Sequence, residues 1–199
     1  MMSMINLWGI TMTEQEVKPK KNRYRLKLLF LFMAIFSISY QIGSMFEVDQ
    51  GEAEQLVKDF EEATKGIDGI GIFLHNLQIN TMMFIPAFGL FWGLLASFQT
   101  GYAFSAFQSV EPLLKDFPAL AILYLSPFGL MELFGYSIGM SRSFIITKKL
   151  IKRDESLKKD WKPISIEFGI VVGLLLTAGI MEFYMIEWVA EMGGLSFFG

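Results

Sequence analysis

Apolar stretches of near-bilayer length alternate with charged segments along the whole chain. The first apolar run, at 28–46, follows Lys18, Lys20, Lys21, Arg23, Arg25 and Lys27. Basic flanks stay on the cytoplasmic side, so this run predicts an uncleaved signal anchor that carries the chain outward. The segment at 47–71 holds eight carboxylates against Lys58 and Lys65. Within it Leu56, Val57, Phe60, Ala63, Thr64 and Ile67 recur at helical spacing, which predicts an amphipathic external helix ended by Gly66, Gly69 and Gly71. From Ile72 to Phe144 the chain is apolar almost throughout, with spans expected at 80–98 and 117–140 and a more polar piece between them.

Charge placement sets the number of crossings. The loop at 142–162 carries Arg142, Lys148, Lys149, Lys152, Arg153, Lys158, Lys159 and Lys162 against three acids, so it is expected on the cytoplasmic side with the amino terminus. An even number of crossings must then separate the two basic segments. That forces a short crossing at 101–114, about 21 Å of helix at 1.5 Å per residue. A last span at 164–188 leaves the C-terminus outside. The expectation is an all-α polytopic transmembrane bundle of about five spans in the cell membrane. A cytoplasmic segment at 1–27 precedes one membrane domain at 28–199.

Composition agrees: 53% of residues are hydrophobic and mean hydropathy is +0.43, as befits a membrane chain. With no cysteine and one histidine, His75, neither a disulfide framework nor a cysteine or histidine-rich metal site is available. No cofactor, metal or nucleic acid is expected. The 13 methionines form no dense cluster, and Met181 with Met185 reads as packing before copper. No nucleophile–base pair, phosphate loop or HExxH helix is visible, so no enzyme is expected.

Helix association in lipid relies on close packing and polar contacts. Three glycine pairs have the spacing that opens a groove for another helix, namely Gly89/Gly93, Gly135/Gly139 and Gly169/Gly173, with Gly101/Ser105 weaker. Pro86 and Pro127 imply kinks. Glu132 lies near the middle of the 117–140 span, where an unpaired charge costs about 3 kcal/mol. It reads either as a proton- or ligand-binding group or as a neutral acid bonded to a neighbouring helix. Glu182 is a second such acid, deeper than Glu167 and Glu187, which read as solvated ends beside the interfacial Trp161 and Trp188. His75 and Asn76, where the external segment meets the membrane, are a polar anchor or a functional pair.

The residues Phe73-Leu74-His75-Asn76, the Gly89 and Gly93 span, Thr100-Gly101 and Pro127-Phe128-Gly129-Leu130-Met131-Glu132 together resemble the stage II sporulation protein M family. In that pattern Thr100-Gly101 forms a turn and the last string carries Pro-x-Gly-x-x-Glu. Phe128 stands where the family has His, and Thr100 where it has Asn. The resemblance implies a five-helix membrane protein at work inside a complex; in spore formers the member resembles a scaffold that recruits cell-wall hydrolases. The expected function is therefore a non-catalytic membrane scaffold or accessory subunit. The alternative is a transporter or channel subunit using Glu132. Expected partners are the bilayer, other membrane proteins or further copies of the chain, and anionic lipid headgroups at 142–162.

Overall fold

The computed structural model describes residues 5–112 and 114–191, and among them every regular element is helical. Helix α1 (Ile5–Ser44) carries the first apolar run. Asp49 caps α2 (Gln50–Thr64) by accepting the Gly51 N–H at 3.0 Å, and Gly66 leaves the helix with φ at 75°, a conformation in which glycine has no Cβ to strain. Asp68 then caps α3 (Gly69–Met83) through the Gly71 N–H at 2.9 Å. Helices α4 (Phe88–Val110), α5 (Ala119–Leu125), α6 (Pro127–Ile151) and α7 (Trp161–Glu191) follow, with a 3-10 turn at Glu155–Lys159 before the last.

Side-chain pairings fix the directions. Ser39 and Ser105 donate to the carbonyls of Leu94 and Phe46, so α1 and α4 run parallel. Gly69 lies by Ile180 and the Phe84 ring meets that of Phe168, so α3 and α7 run antiparallel. Helix α6 runs with α3, from the Asn76–Glu132 bond to the Ser143–Ile85 bond, and against α7, from Gly135 at Leu175 to Arg142 at Glu167. Five helices thus lie side by side with α1, α4 and α7 pointing one way and α3 and α6 the other. One end of the bundle is basic, holding Arg23, Lys27 and Lys148 to Lys152. The other is acidic, covered by α2. The core runs between α1, α3 and α6, where Phe32, Phe36, Met83, Leu133, Tyr136 and Met140 are buried.

Among the described residues two helices are long and apolar enough to cross a bilayer alone, Arg23–Ser44 and Trp161–Trp188, and the bent pair α5–α6 makes a third where it is one broken span rather than a re-entrant loop. Both carry wide exposed apolar faces, including Phe30, Leu31, Ile38, Ile166 and Ile170, as expected of surfaces solvated by lipid. Trp161 and Trp188 are exposed near the two ends of α7, about 40 Å apart along the helix, which matches a bilayer with its headgroups.

The boundaries within 72–144 differ from expectation. Thr100-Gly101 forms no turn, because α4 continues through it, and the break falls at 84–87 instead. There Pro86 lacks an N–H and Ala87 adopts a left-handed φ of 61°. Helix α6 holds the break: Ser143 donates to the Ile85 carbonyl at 2.7 Å, and Thr147 Oγ1 accepts the Ala87 N–H at 2.6 Å. The expected spans at 80–98 and 101–114 are therefore replaced by α3 and α4. The bend expected at Pro127 is present as a full break between α5 and α6, and Pro127 opens α6, where its missing donor costs nothing. The axes of α5 and α6 meet at 88°, joined by Ser126, whose hydroxyl donates to the Ile122 carbonyl and accepts the Gly129 N–H. Most of 142–162 is also ordered helix, since α6 reaches Ile151.

Candidate functional site

A polar column lies between α3, α6 and α7, away from both ends of the bundle. Asn76 on α3 donates its amide N–H to Glu132 Oε1 on α6 at 2.6 Å. Glu182, from α7, brings its carboxyl within hydrogen-bonding reach of Glu132. Tyr136, one turn along α6 from Glu132, is buried with its ring stacked on Phe36 at 5.4 Å. Leu133, Met83 and Met140 of the neighbouring core are all fully enclosed. In such surroundings every polar group needs a partner.

One group has none. Asn80, a turn beyond Asn76 on the same face of α3, is fully buried, and neither its Nδ2 nor its Oδ1 has a hydrogen-bond partner. Its amide lies on the glycine face of α6: a Cβ at Gly135 would stand 3.3 Å from Nδ2, and one at Gly139 would stand 2.9 Å from Oδ1. Those two glycines give Asn80 its room. Gly139 also lets Met83 and Phe84 approach α6 closely.

The other singled-out residues disperse. His75 is exposed on α3 and turns away from the column. Gly101 lies against Tyr40 and Ser44 of α1, and Gly43 against Phe98, so these two glycines let α1 and α4 meet backbone to backbone. Gly93 receives the Met140 side chain, while Gly89 fits under the Met83 carbonyl at the 84–87 break. Gly129 packs against Ile122 and Ser126 at the α5–α6 corner, just after the buried Phe128. Gly169 and Gly173 are exposed with nothing of the described chain within 4 Å of a Cβ, so their groove is not filled from within. Close contact on α7 is made at Gly179 instead, against Gly69 and Phe73.

Glu167 is not a solvated end. It accepts Arg142 from α6 (Nε to Oε2 2.7 Å) and Arg25 from α1 (Nη2 to Oε1 2.6 Å). Arg142, expected in a cytoplasmic loop, is buried with 4% of its side chain exposed. Hydropathy averaging hid this triad. Both arginines read as flanks of apolar runs, and only the docking of α1, α6 and α7 shows that they meet.

A sequence profile for stage II sporulation protein M matches residues 26–185, which take in the column, Arg142 and Glu167 of the triad, and all seven helices in whole or part. The chain belongs to the stage II sporulation protein M family. No curated protein and no solved structure matches it. Within this stage II sporulation protein M chain, the Pro-x-Gly-x-x-Glu string has a structural account: Pro127 opens α6, Gly129 seats the corner, and Glu132 meets α3 and α7.

Proposed function

We propose that this chain is a five-crossing membrane scaffold or accessory subunit, non-catalytic, with its basic end and amino terminus cytoplasmic and its C-terminus outside. The crossings are α1, α3, α4, α6 with α5 at its outer end, and α7. Reversals of direction along the chain and the basic character of one end support this orientation. The observation that carries the functional reading is α2. Its underside is held on α4 by the Phe60–Phe107 ring contact at 5.1 Å and by Tyr102 donating to Glu52 at 2.8 Å. Of its other acids, Glu54, Asp59 and Glu62 are exposed and Glu61 is half-buried. The bundle so presents a fixed acidic platform suited to a partner with a cationic surface. Purification from native membranes in mild detergent, followed by mass spectrometry, is expected to recover a reproducible partner. Reversing Glu54, Asp59 and Glu62 to Lys is expected to release it. Recovery of the protein alone would overturn this reading.

A second reading has its own observation. The Glu132–Glu182 pair with Asn76 is an ionisable group at membrane depth, a feature that often lines transport pathways. Proton or ion flux in reconstituted vesicles that Glu132→Gln abolishes would favour a transporter or channel subunit. Flux unchanged by that substitution would count against it.

A further inference from the structure

The triad at the basic end is not electrically balanced. Arg142 takes Glu167 in a two-point contact, through Nε at 2.7 Å and Nη2 at 2.5 Å, and Arg25 shares the same Oε1 at 2.6 Å. Arg25 also reaches Ser141 Oγ at 3.4 Å. Two guanidiniums on one carboxylate leave one net positive charge. The nearby charges do not cancel it. Lys149 is taken by Asp160 at 2.6 Å, whereas Lys148 lies over the Tyr24 ring, 5.8 Å from its centroid, with no carboxylate in salt-bridge contact among the described residues. The excess charge has one open edge, because 22% of the Arg25 side chain is exposed against 4% for Arg142.

Depth and surroundings point to the ligand. Glu167 stands six residues, about 9 Å, inside the start of α7, whose apolar span is about 42 Å long. That places the triad near the boundary of a hydrocarbon core about 30 Å thick. Beside Arg25 and Glu167, the exposed Leu26 and Phe30 of α1 and Ile166 and Ile170 of α7 form apolar lanes leading away from the basic end. A cation at the headgroup boundary above apolar lanes fits a molecule with an anionic head and hydrocarbon tails.

We propose that Arg25, backed by Arg142 and Glu167, binds the phosphate of an anionic phospholipid in the leaflet facing the basic end. The site differs from the basic loop. It lies where Arg25 of α1 reaches Glu167 of α7, and the guanidinium supplies forked donors to phosphate oxygens. This inference holds under either functional reading above and rests only on the basic end facing a leaflet.

The test uses the full chain in mild detergent with phosphatidylglycerol or phosphatidylcholine added, counting retained lipids by native mass spectrometry. The wild type is expected to retain the anionic lipid preferentially. Arg25→Gln is expected to lower that preference about fivefold, the factor one surface cation confers. It leaves Arg142–Glu167 as a neutral pair. Lys152→Gln with Lys159→Gln is expected to keep the preference. Preference unchanged in Arg25→Gln, or lost in the loop variant alone, would overturn the site. Inorganic phosphate that displaces phosphatidylglycerol at equal concentration would show a site for free phosphate and overturn the lipid assignment. Should Arg25→Gln fail to fold, photoreactive phosphatidylglycerol on the wild type decides. Label at 25–30 and 166–170 supports the proposal, and label confined to 152–162 sinks it.

Discussion

Glu132 joins three helices through a single carboxyl, accepting from Asn76 and facing Glu182. Replacing it with Gln keeps an acceptor for Asn76 and a donor for Glu182, so the fold should lose no more than about 1 kcal/mol, the worth of one net hydrogen bond. Glu132→Ala removes both, strands the Asn76 amide in an apolar interface, and should cost about 1–3 kcal/mol. Thermal unfolding in detergent measures the difference, and equal losses in the two variants would show that the carboxyl is not bonded as described. Both acids were legible in the sequence because a charge in an apolar run stands out at once. Their meeting was not, since it depends on the registers of α3, α6 and α7 against one another. Asn80 was missed for a related reason: an amide in a helix is unremarkable until its neighbours prove to be Gly135 and Gly139.

At the scale of helices, glycine spacing identified grooves without saying which were filled. Gly101 meets the backbone of α1 at Tyr40 and Ser44, so Gly101→Val should force α1 and α4 apart at a cost of about 1–3 kcal/mol, seen as a lower unfolding midpoint. Gly173→Leu should leave the midpoint of the isolated chain unchanged or raise it slightly, because nothing lies within 4 Å of a Cβ there and leucine is the better helix former. A fall in both variants would refute the difference in packing. The end of α2 was legible because Gly66 marked it. The break at 84–87 was legible as a kink at Pro86, but its full separation into two helices was not, because the hydroxyls of Ser143 and Thr147, some 60 residues away, hold it in place. The turn before α7 has its own pH dependence. Hydrogen bonding from Ser156, chiefly its backbone N–H, holds the exposed Asp154 carboxyl below the usual aspartate range, with Lys149 and Lys152 adding a smaller pull. A lowered folded-state value means stability present above the ordinary aspartate pKa and lost as pH falls through the lowered value. Amide exchange at Ser156 should accelerate through that acidic window in the wild type and show no such step in Asp154→Asn.

Across the whole molecule, the proposed cytoplasmic placement of both basic segments asks for an even number of crossings between them, and α1, α3, α4 and α6 alternate in direction as four such crossings would. Helix α3, at 15 residues, covers only about 22 Å, short of a 30 Å core, so a hairpin of α3 and α4 that dips in and returns is the competing arrangement. The competing arrangements place the 84–87 break differently. If α3 crosses, the break reaches the basic side. If the pair only re-enters, the break stays within the membrane. Since the chain has no cysteine, single cysteines can be read without background. Asp59→Cys and Lys115→Cys are expected to react with a membrane-impermeant maleimide from outside intact cells, whereas Ala87→Cys and Ser156→Cys react only after the membrane is opened. Ala87 suits the test because its side chain is exposed and its neighbour Pro86 ends the helix. Labelling of Ala87→Cys from outside would reduce the crossings to three and remove the charge argument for placing α4. Protection of Ala87→Cys until lysis, with Ser156→Cys behaving alike, would leave five as the count consistent with both the basic segments and the helix directions.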